Sequence, residues 1–428
     1  MKYHFIGIGG VGMSALARIM LQKGYTVTGS DSKESYVTKA LEKAGAKISY
    51  VHRKENIESG SVVVYSSAIK KDNPEWVSPM LHRSDLLQQL LDEKKAILIV
   101  GAHGKTTSTS LLAHISKSRD PSFVVGGFSP SLGDVNGYIG RGEYFIAEGD
   151  ESDGSFLKAT PAGAIITNVD FDHLDYWKTK EALLASYQRF IAGVPNLLFY
   201  RYEDPYLSQW KVKGISFGES DKADLQVKDV HSQMFTIVFQ GKTYSDIKLS
   251  LLGRHNVFNA AGCFGMAMAL GMSEEKIREG LISFKGVKRR LELKGTLRGA
   301  LIYDDYAHHP KEIEATLAAI KGTFQDRRKV AVFQPHRYTR LKDLMDDFAN
   351  AWKDADELIV TDIYSAGEST IEGVSIEAFL KKVKRNKVTY IARDELVEFL
   401  QSNIASNDVV VTLGAGDITK VGSDLVYD

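Results

Sequence analysis

A chain of 428 residues is too long for one ordinary core, and a prior of roughly 150 residues per domain suggests about three. Its 54 basic side chains equal its 54 acidic ones, so no basic surface is available to displace counterions and no nucleic-acid partner is expected. The single cysteine, Cys263, excludes a disulfide framework and lies in an Ala/Met-rich stretch that calls for a small buried residue.

The chain starts directly in an apolar strand, KYHFIGI, with no basic segment and signal core before it. No apolar run approaches the roughly 20 residues that span a bilayer, so no membrane insertion and a cytoplasmic location are expected. A glycine turn follows, then a helix over about 13–23. Gly7, Gly9 and Gly12 spell G-x-G-x-x-G, in which backbone N–H groups at a helix N-terminus face anionic oxygens. YTVTGSD is a second strand ending in Asp31, placed as a ribose-binding acid would be. VTKALEKAGA reads as a helix, SVVVYSSAI as a third strand, and SDLLQQLLDEKK as a helix opened by a Ser cap. This alternation predicts parallel strands covered by helices, the doubly wound α/β class.

A second start, AILIVGAHGKTTSTSLLAHI, places a boundary near Lys95. Gly101-Ala102-His103-Gly104-Lys105-Thr106-Thr107 resembles a shortened phosphate-binding loop, G-x-x-G-K-T in place of G-x-x-x-x-G-K-[ST]. Its glycines let successive N–H groups turn inward around phosphate oxygens. Lys105 neutralises their charge, and the Thr106 hydroxyl reaches Mg2+. Strand-like EYFIAEG and AGAIITNV each end in acids: Glu148, Asp150, Glu151 and Asp153 after the first, Asp170, Asp172, His173 and Asp175 after the second. Mg2+ on a nucleotide keeps waters plus one or two carboxylates, so both clusters are candidates. EALLASYQRFIAGV reads as a helix, residues 223–252 as a small antiparallel patch, and roughly 256–270 as a helix headed by His255, Asn256 and Asn259, with Asn256 a possible cap.

A third start follows FKGVKRRLELKG. GALIYDDYA leads to a helix opened by Pro310, two more strand–helix pairs follow, and NDVVVTLGAGD closes the sheet. Arg337 and Arg340 in QPHRYTR suit a bidentate grip on carboxylate or phosphate. Asp304, Asp305, His308 and His309 offer hydrogen bonds and proton transfer. Adjacent His308 and His309 point apart on an extended segment, which argues against a metal pair. The expected domains are 1–95, 96–288 and 289–428.

In this order the segments HFIGIGGVGMSALA, GSD, VVYSSAI, GAHGKTT, EGDESDGSFL and QPHRYTR resemble the Mur ligases, ATP-dependent amide-forming enzymes of peptidoglycan precursor synthesis. The resemblance runs nearly end to end and implies an N-terminal Rossmann-like domain for a UDP-sugar, a central P-loop ATPase domain and a C-terminal Rossmann-like domain admitting an amino acid. Its implied substrates are UDP-N-acetylmuramate, L-alanine and ATP, with Mg2+. Gly9, Gly10, Val11, Gly12, Ser30, Asp31, Ser66, Ser67 and Arg83 would hold the UDP-sugar. Gly101 to Thr107, His255, Asn256, Asn259, Arg289 and Asp304 would hold ATP, with Asp304 on the ribose. Thr106, Glu148 and His173 would hold the metal. His308, His336, Arg337 and Arg340 would surround the amino acid, and Lys105, Glu148, His173, His308 and Arg337 would carry the chemistry. Against the family pattern, Ala102 replaces threonine, Gly149 replaces alanine, and both the segment 116–127 and the end of the chain are short. A monomer or weak homodimer is expected. Three alternatives stay open at this level: a sister ligase attaching a tripeptide to the same sugar nucleotide, an NAD(P)-dependent oxidoreductase using the first glycine turn, and a nucleotide-binding switch without an acceptor.

Overall fold

The computed structural model describes residues 1–171, 173–384 and 387–427. Asp172 lies outside the described residues, as does the side chain of Asp175. By packing, the chain divides into Met1–Asp229 with Met234–Ser250 and Phe258–Gly286, and Val230–Gln233 with Leu251–Val257 and Val287–Asp428.

The first unit carries two sheets. The five-stranded sheet runs Lys47–Ser49, Thr26–Ser30, Lys2–Ile6, Ser61–Tyr65, Leu81–His82, with every neighbouring pair parallel. Lys2–Ile6 takes Thr26–Ser30 on one side and Ser61–Tyr65 on the other, so the order reverses at its carboxyl end, where open α/β sheets bind ligands. The glycine turn sits at that point and opens the helix Val11–Gln22, which buries Met13, Leu16, Ile19 and Met20. Starting two residues earlier than its apolar pattern suggests, the helix uses Gly10 as its N-cap. The helix expected from a Ser84 cap also starts early, at Arg83. His82 is the cap, its Nδ1 accepting from Ser84 N at 3.3 Å.

The ten-stranded sheet places Lys95–Val100 between Gly163–Ile166 and Tyr144–Glu148, parallel to both. After Lys95 every residue of that strand is buried, as a strand covered on both faces requires. The patch expected from period-two alternation is present as Leu225–His231, Met234–Phe239 and Lys242–Lys248. Its tight turn uses left-handed Gln240 and Gly241 (φ 52° and 75°), a hairpin geometry matched to strand twist. The core of this unit is continuous, from Phe5, Leu16 and Met20 through Leu98, Phe145, Phe156 and Tyr187. It therefore crosses the break expected near Lys95. Asn136 reinforces the crossing, its Nδ2 donating to Val11 O at 2.7 Å and Ser14 Oγ at 2.9 Å.

The second unit is a six-stranded sheet ordered Glu292–Leu297, Ala300–Asp305, Asp408–Leu413, Arg328–Phe333, Glu357–Val360, Val388–Tyr390, antiparallel only at its first pair. The strand expected to close the sheet lies inside it. Asp408–Leu413 is buried at every residue, and only an interior position covers both faces of such a strand. Phe333, Phe348, Trp352 and Phe379 fill one side of this sheet, and Ile302, Val332, Val410 and Leu425 the other. Cys263 is buried as expected, with Sγ 3.3 Å from Ser108 O and its thiol pushed up by burial. Among the described residues no helix is long and apolar enough to cross a membrane.

Candidate active site

The phosphate loop follows the buried strand Lys95–Val100, and two features hold its path. Gly101 has φ 139°, and a Cβ built there would lie 2.2 Å from Thr167 Oγ1 and 2.8 Å from Asn168 O. Only glycine passes so close in that conformation. Gly104 (φ 83°) caps the helix Lys105–Ile115, and its Cβ would meet Asn259 Oδ1 at 2.7 Å, which puts Asn259 against the loop. Asn168, which sequence reasoning passed over inside ITNVDFDHLD, pins the loop from the next strand. It accepts from His103 N at 3.0 Å and donates to His103 O at 2.8 Å, while Thr167 Oγ1 donates to the same carbonyl at 2.7 Å. The available signal was an Asn at the end of a strand adjacent to the loop's own. Asn168→Ala is expected to weaken ADP binding by roughly 5–30-fold in calorimetric titration, from about 1 kcal/mol for each bond lost. Its thermal transition should remain cooperative.

Lys105 Nζ lies 2.5 Å from Gly101 O, 3.3 Å from Ala102 O and 2.7 Å from Glu151 Oε1. Burial works against its charge, but Glu151, Asp150 and Glu148 more than offset this and raise its pKa. Thr106 Oγ1 donates to Glu148 Oε2 at 3.1 Å, and Glu148 Oε1 accepts from Gly126 N at 2.5 Å. A hydroxyl and a carboxylate thus stand together beside the lysine, a donor pair that suits a nucleotide-bound hard cation. Among the described residues no three His, Cys, Asp or Glu side chains cluster as a metal site, so a cation here would depend on the nucleotide for further ligands. His173, the third expected ligand, precedes the helix Leu174–Trp177 with φ 56°, its carbonyl accepting from Tyr176 N and Trp177 N. His103 Nε2 is 3.3 Å from Asp170 Oδ2.

At the first glycine turn, Gly7 N and Ile8 N donate to Ser30 O, and Gly10 N to Gly7 O, while Ser14 N donates to Gly10 O and opens the helix. Asp31, expected to hold the UDP-sugar, braces the turn: its Oδ2 accepts from Gly9 N at 2.8 Å. The Ser30 side chain is fully buried, bonded to Glu75 and, at 2.8 Å, to His52 Nδ1. Glu75 is buried, which pushes its carboxyl up. His4, Ser30, Asn56 and Arg53 N more than offset this and hold it at about 2. Ser66 O accepts from Ile69 N in the loop after Ser61–Tyr65. Ser67 Oγ is 3.1 Å from His82 Nε2 and 3.4 Å from Asp153 Oδ2. Arg83 Nη2 donates to Asp150 Oδ2 at 2.7 Å and to Asp153 Oδ2 at 2.9 Å, and the arginine holds Asp150 well below the usual carboxylate range despite burial.

In the second unit His308, His336 and Arg340 converge. The two imidazole centroids are 6.0 Å apart, Arg340 Nη1 is 3.0 Å from His336 Nδ1, and His336 stacks on Tyr364. Burial, then Arg340, His308 and Arg337, push the His336 pKa down to about 3, so it is neutral at pH 7. Arg337 caps the following helix with φ 71°. Asp304 has a different occupation from the one expected. It is fully buried and accepts from Thr412 Oγ1 at 2.6 Å and Thr419 Oγ1 at 2.5 Å. Arg289 (φ 62°) donates to Gly414 O and Gly416 O and lies across the Tyr306 ring. His255 is held down at about 4 by burial. Asn256 falls within the helix Arg254–Ala269 rather than at its cap, donating from Nδ2 to Leu252 O at 2.7 Å.

Parallel sheets with a glycine turn at one switch point and a lysine-bearing phosphate loop at the next define a P-loop nucleotide-binding α/β protein. The sequence pattern of the Mur ligase family catalytic domain matches residues 2–95, that of the Mur ligase middle domain residues 99–267, and that of the Mur ligase glutamate ligase domain residues 289–416. The UDP-N-acetylmuramate–L-alanine ligase of Protochlamydia amoebophila is 44% identical over 440 residues, covering 99% of this chain and 97% of the relative. The crystal structure of UDP-N-acetylmuramate-alanine ligase MurC from Thermotoga maritima superposes with a TM-score of 0.87 at 29% identity, over 99% of this chain and 98% of that one. A murein peptide ligase from Psychrobacter arcticus matches with a TM-score of 0.73 at 24% identity, over 100% of this chain and 99% of that one, a likeness of fold alone. The chain belongs to the Mur ligase family.

Proposed function

We propose that this enzyme joins L-alanine to the carboxylate of UDP-N-acetylmuramate at the expense of ATP, the reaction its relatives are named for. The observation that carries the reading is the meeting of Lys105, Thr106 and Glu148 at the carboxyl edge of a parallel sheet. An oxidoreductase reading leaves that constellation without a role. We take residues 1–95, 96–288 and 289–428 as the sugar-nucleotide, ATP and amino-acid parts, acting in the cytoplasm as a monomer or weak homodimer.

A carboxylate is a poor acyl donor because oxide would have to leave. In the proposed sequence a carboxylate oxygen of the sugar nucleotide attacks the γ-phosphorus, the bond to the β-phosphate oxygen breaks, and ADP departs, giving an acyl phosphate. The amine of L-alanine then attacks the acyl carbon, the amide forms, and inorganic phosphate leaves with the former carboxylate oxygen. The chain supplies position and charge rather than covalent chemistry. Lys105 and the N–H groups of 101–106 neutralise the transferring phosphoryl group. Thr106 and Glu148, with His173 as the third candidate, would hold Mg2+, which supplies further neutralisation of the same oxygens. We assign proton removal from the attacking amine to His308. Its Nδ1 faces the Tyr306 carbonyl at 2.9 Å, which requires the proton there and makes Nε2 the basic nitrogen.

The test is a coupled assay for ADP with L-alanine, glycine, L-serine and the murein tripeptide compared. ADP is expected only with UDP-N-acetylmuramate, an amino acid and Mg2+ all present, with L-alanine preferred, and chelation of the metal should stop it. Preference for the tripeptide would overturn the L-alanine assignment. ADP release without any acceptor would overturn the ligase chemistry.

A further inference from the structure

The four residues Asp150 to Asp153 follow the strand Tyr144–Glu148 and bond in two directions. The Glu151 carboxylate is 2.7 Å from Lys105 Nζ, whereas Asp150 and Asp153 both close on one nitrogen of Arg83, Nη2, at 2.7 and 2.9 Å. The other terminal nitrogen of that guanidinium faces the first glycine turn: a Cβ built on Gly12 would lie 3.2 Å from Arg83 Nη1. Trp177 Nε1, from the helix after His173, donates to Glu151 O at 2.9 Å and fixes the segment's middle.

An ammonium has three donors, and those of Lys105 are directed at Gly101 O, Ala102 O and Glu151. Incoming β- and γ-phosphates must displace at least one of these partners. Burial raises the Glu151 pKa and the Lys105 ammonium opposes that shift; ionised, Glu151 is the partner that repels them, an anion where anions must sit. It is also poorly held for a buried group. Its side chain is 3% exposed, and among the described residues Oε2 has no hydrogen-bond partner, so the ion pair to Lys105 is the carboxylate's one charged hold. Trp177 holds the backbone of the segment at Glu151, and Arg83 holds the side chains on either side of it. An anion on the turn beside Gly12 competes for that guanidinium and loosens its hold on Asp150 and Asp153.

We propose that Glu151 and Arg83 are positioning residues that couple the two anion sites: Glu151 occupies Lys105 until an anionic ligand on the glycine turn draws Arg83 from Asp150 and Asp153. The inference rests on the reading above that this turn takes the diphosphate of the sugar nucleotide. The coupling is reciprocal, so a filled phosphate loop also tightens the turn for its ligand. It gives the enzyme a reason not to hydrolyse ATP before the acceptor is in place.

The experiment is calorimetric titration of the full chain with AMP-PNP and Mg2+, with and without saturating UDP-N-acetylmuramate. In the natural sequence the sugar nucleotide is expected to tighten AMP-PNP by at least about fivefold, the lower end of ordinary coupling. In Glu151→Gln that ratio should fall below about twofold, through tighter AMP-PNP binding in the absence of the sugar nucleotide. Asp153→Asn, which slackens the Arg83 side, should lower the ratio in the same direction. A purely structural role for Glu151 would instead weaken AMP-PNP binding in both conditions. The proposal is overturned if Glu151→Gln binds AMP-PNP alone no more tightly than the natural sequence, or if the natural ratio is near one. If the natural enzyme binds both nucleotides with a ratio above five yet makes no ADP with L-alanine, the reaction reading fails while the coupling stands.

Discussion

Lys105→Ala is expected to lower kcat for ADP formation by at least about a thousandfold, because one well-placed donor to a developing oxyanion is already worth about 3–4 kcal/mol and this one also carries a charge. The same change strands Glu151, whose buried carboxylate is 2.7 Å from the lysine. Losing one partner of a buried pair costs about 3 kcal/mol, so the melting temperature should also fall. The two effects separate in Lys105→Ala/Glu151→Gln. Calorimetry should recover most of the lost melting temperature in that double variant, while the ADP assay stays at background. Substantial turnover in either variant would remove the phosphate-loop role.

Gly101→Ala is the second large effect, and its cause is steric. The new methyl would have to sit 2.2 Å from Thr167 Oγ1 and 2.8 Å from Asn168 O, at a φ of 139° that an L side chain rarely adopts. The end of the neighbouring strand cannot move aside cheaply, since Gly163–Ile166 is wholly buried and paired on both sides. The loop must therefore change course, which dissolves the cradle of N–H groups. No ADP binding should be detectable by titration, and overpacking of about 1–3 kcal/mol should lower the melting temperature by several degrees. Gly322→Ala is the matched control. That glycine lies in the helix Pro310–Thr323 with nothing within 4 Å of a Cβ, so alanine should leave activity and stability intact or slightly improved.

Local chemistry explains what was legible. The alternation of apolar strands with helices, the glycine turns and the order of the motifs are one-dimensional signals, and each names a backbone path that the structure follows at Gly7–Gly12 and Gly101–Thr107. The proximity of Lys105, Thr106 and Glu148 was readable because a phosphate-loop pattern and an acid at the end of the neighbouring strand meet at one sheet edge without a distant partner being known. Ser30, Asp31 and Asp304 have partners that no local signal announced, for the converse reason. A short polar residue at a strand end looks the same whether it faces a ligand or its own fold. Glu75, which claims the Ser30 hydroxyl, comes from a loop 45 residues away, and Thr419, which claims Asp304, is 115 residues on.

By itself, then, the sequence determined the class of fold, the backbone path of the two glycine turns and the lysine, hydroxyl and carboxylate that the structure brings together at the second, since these depend on spacing along the chain. Tertiary structure alone decided which distant groups the acids Asp31, Glu75 and Asp304 bond, that Asp408–Leu413 runs inside its sheet, that the core of the first unit is continuous across residue 95, and that Arg83 faces Asp150 and Asp153. Those outcomes depend on which distant groups desolvate one another. A buried carboxylate must find its donors wherever the folded chain places them, and no local pattern records that place.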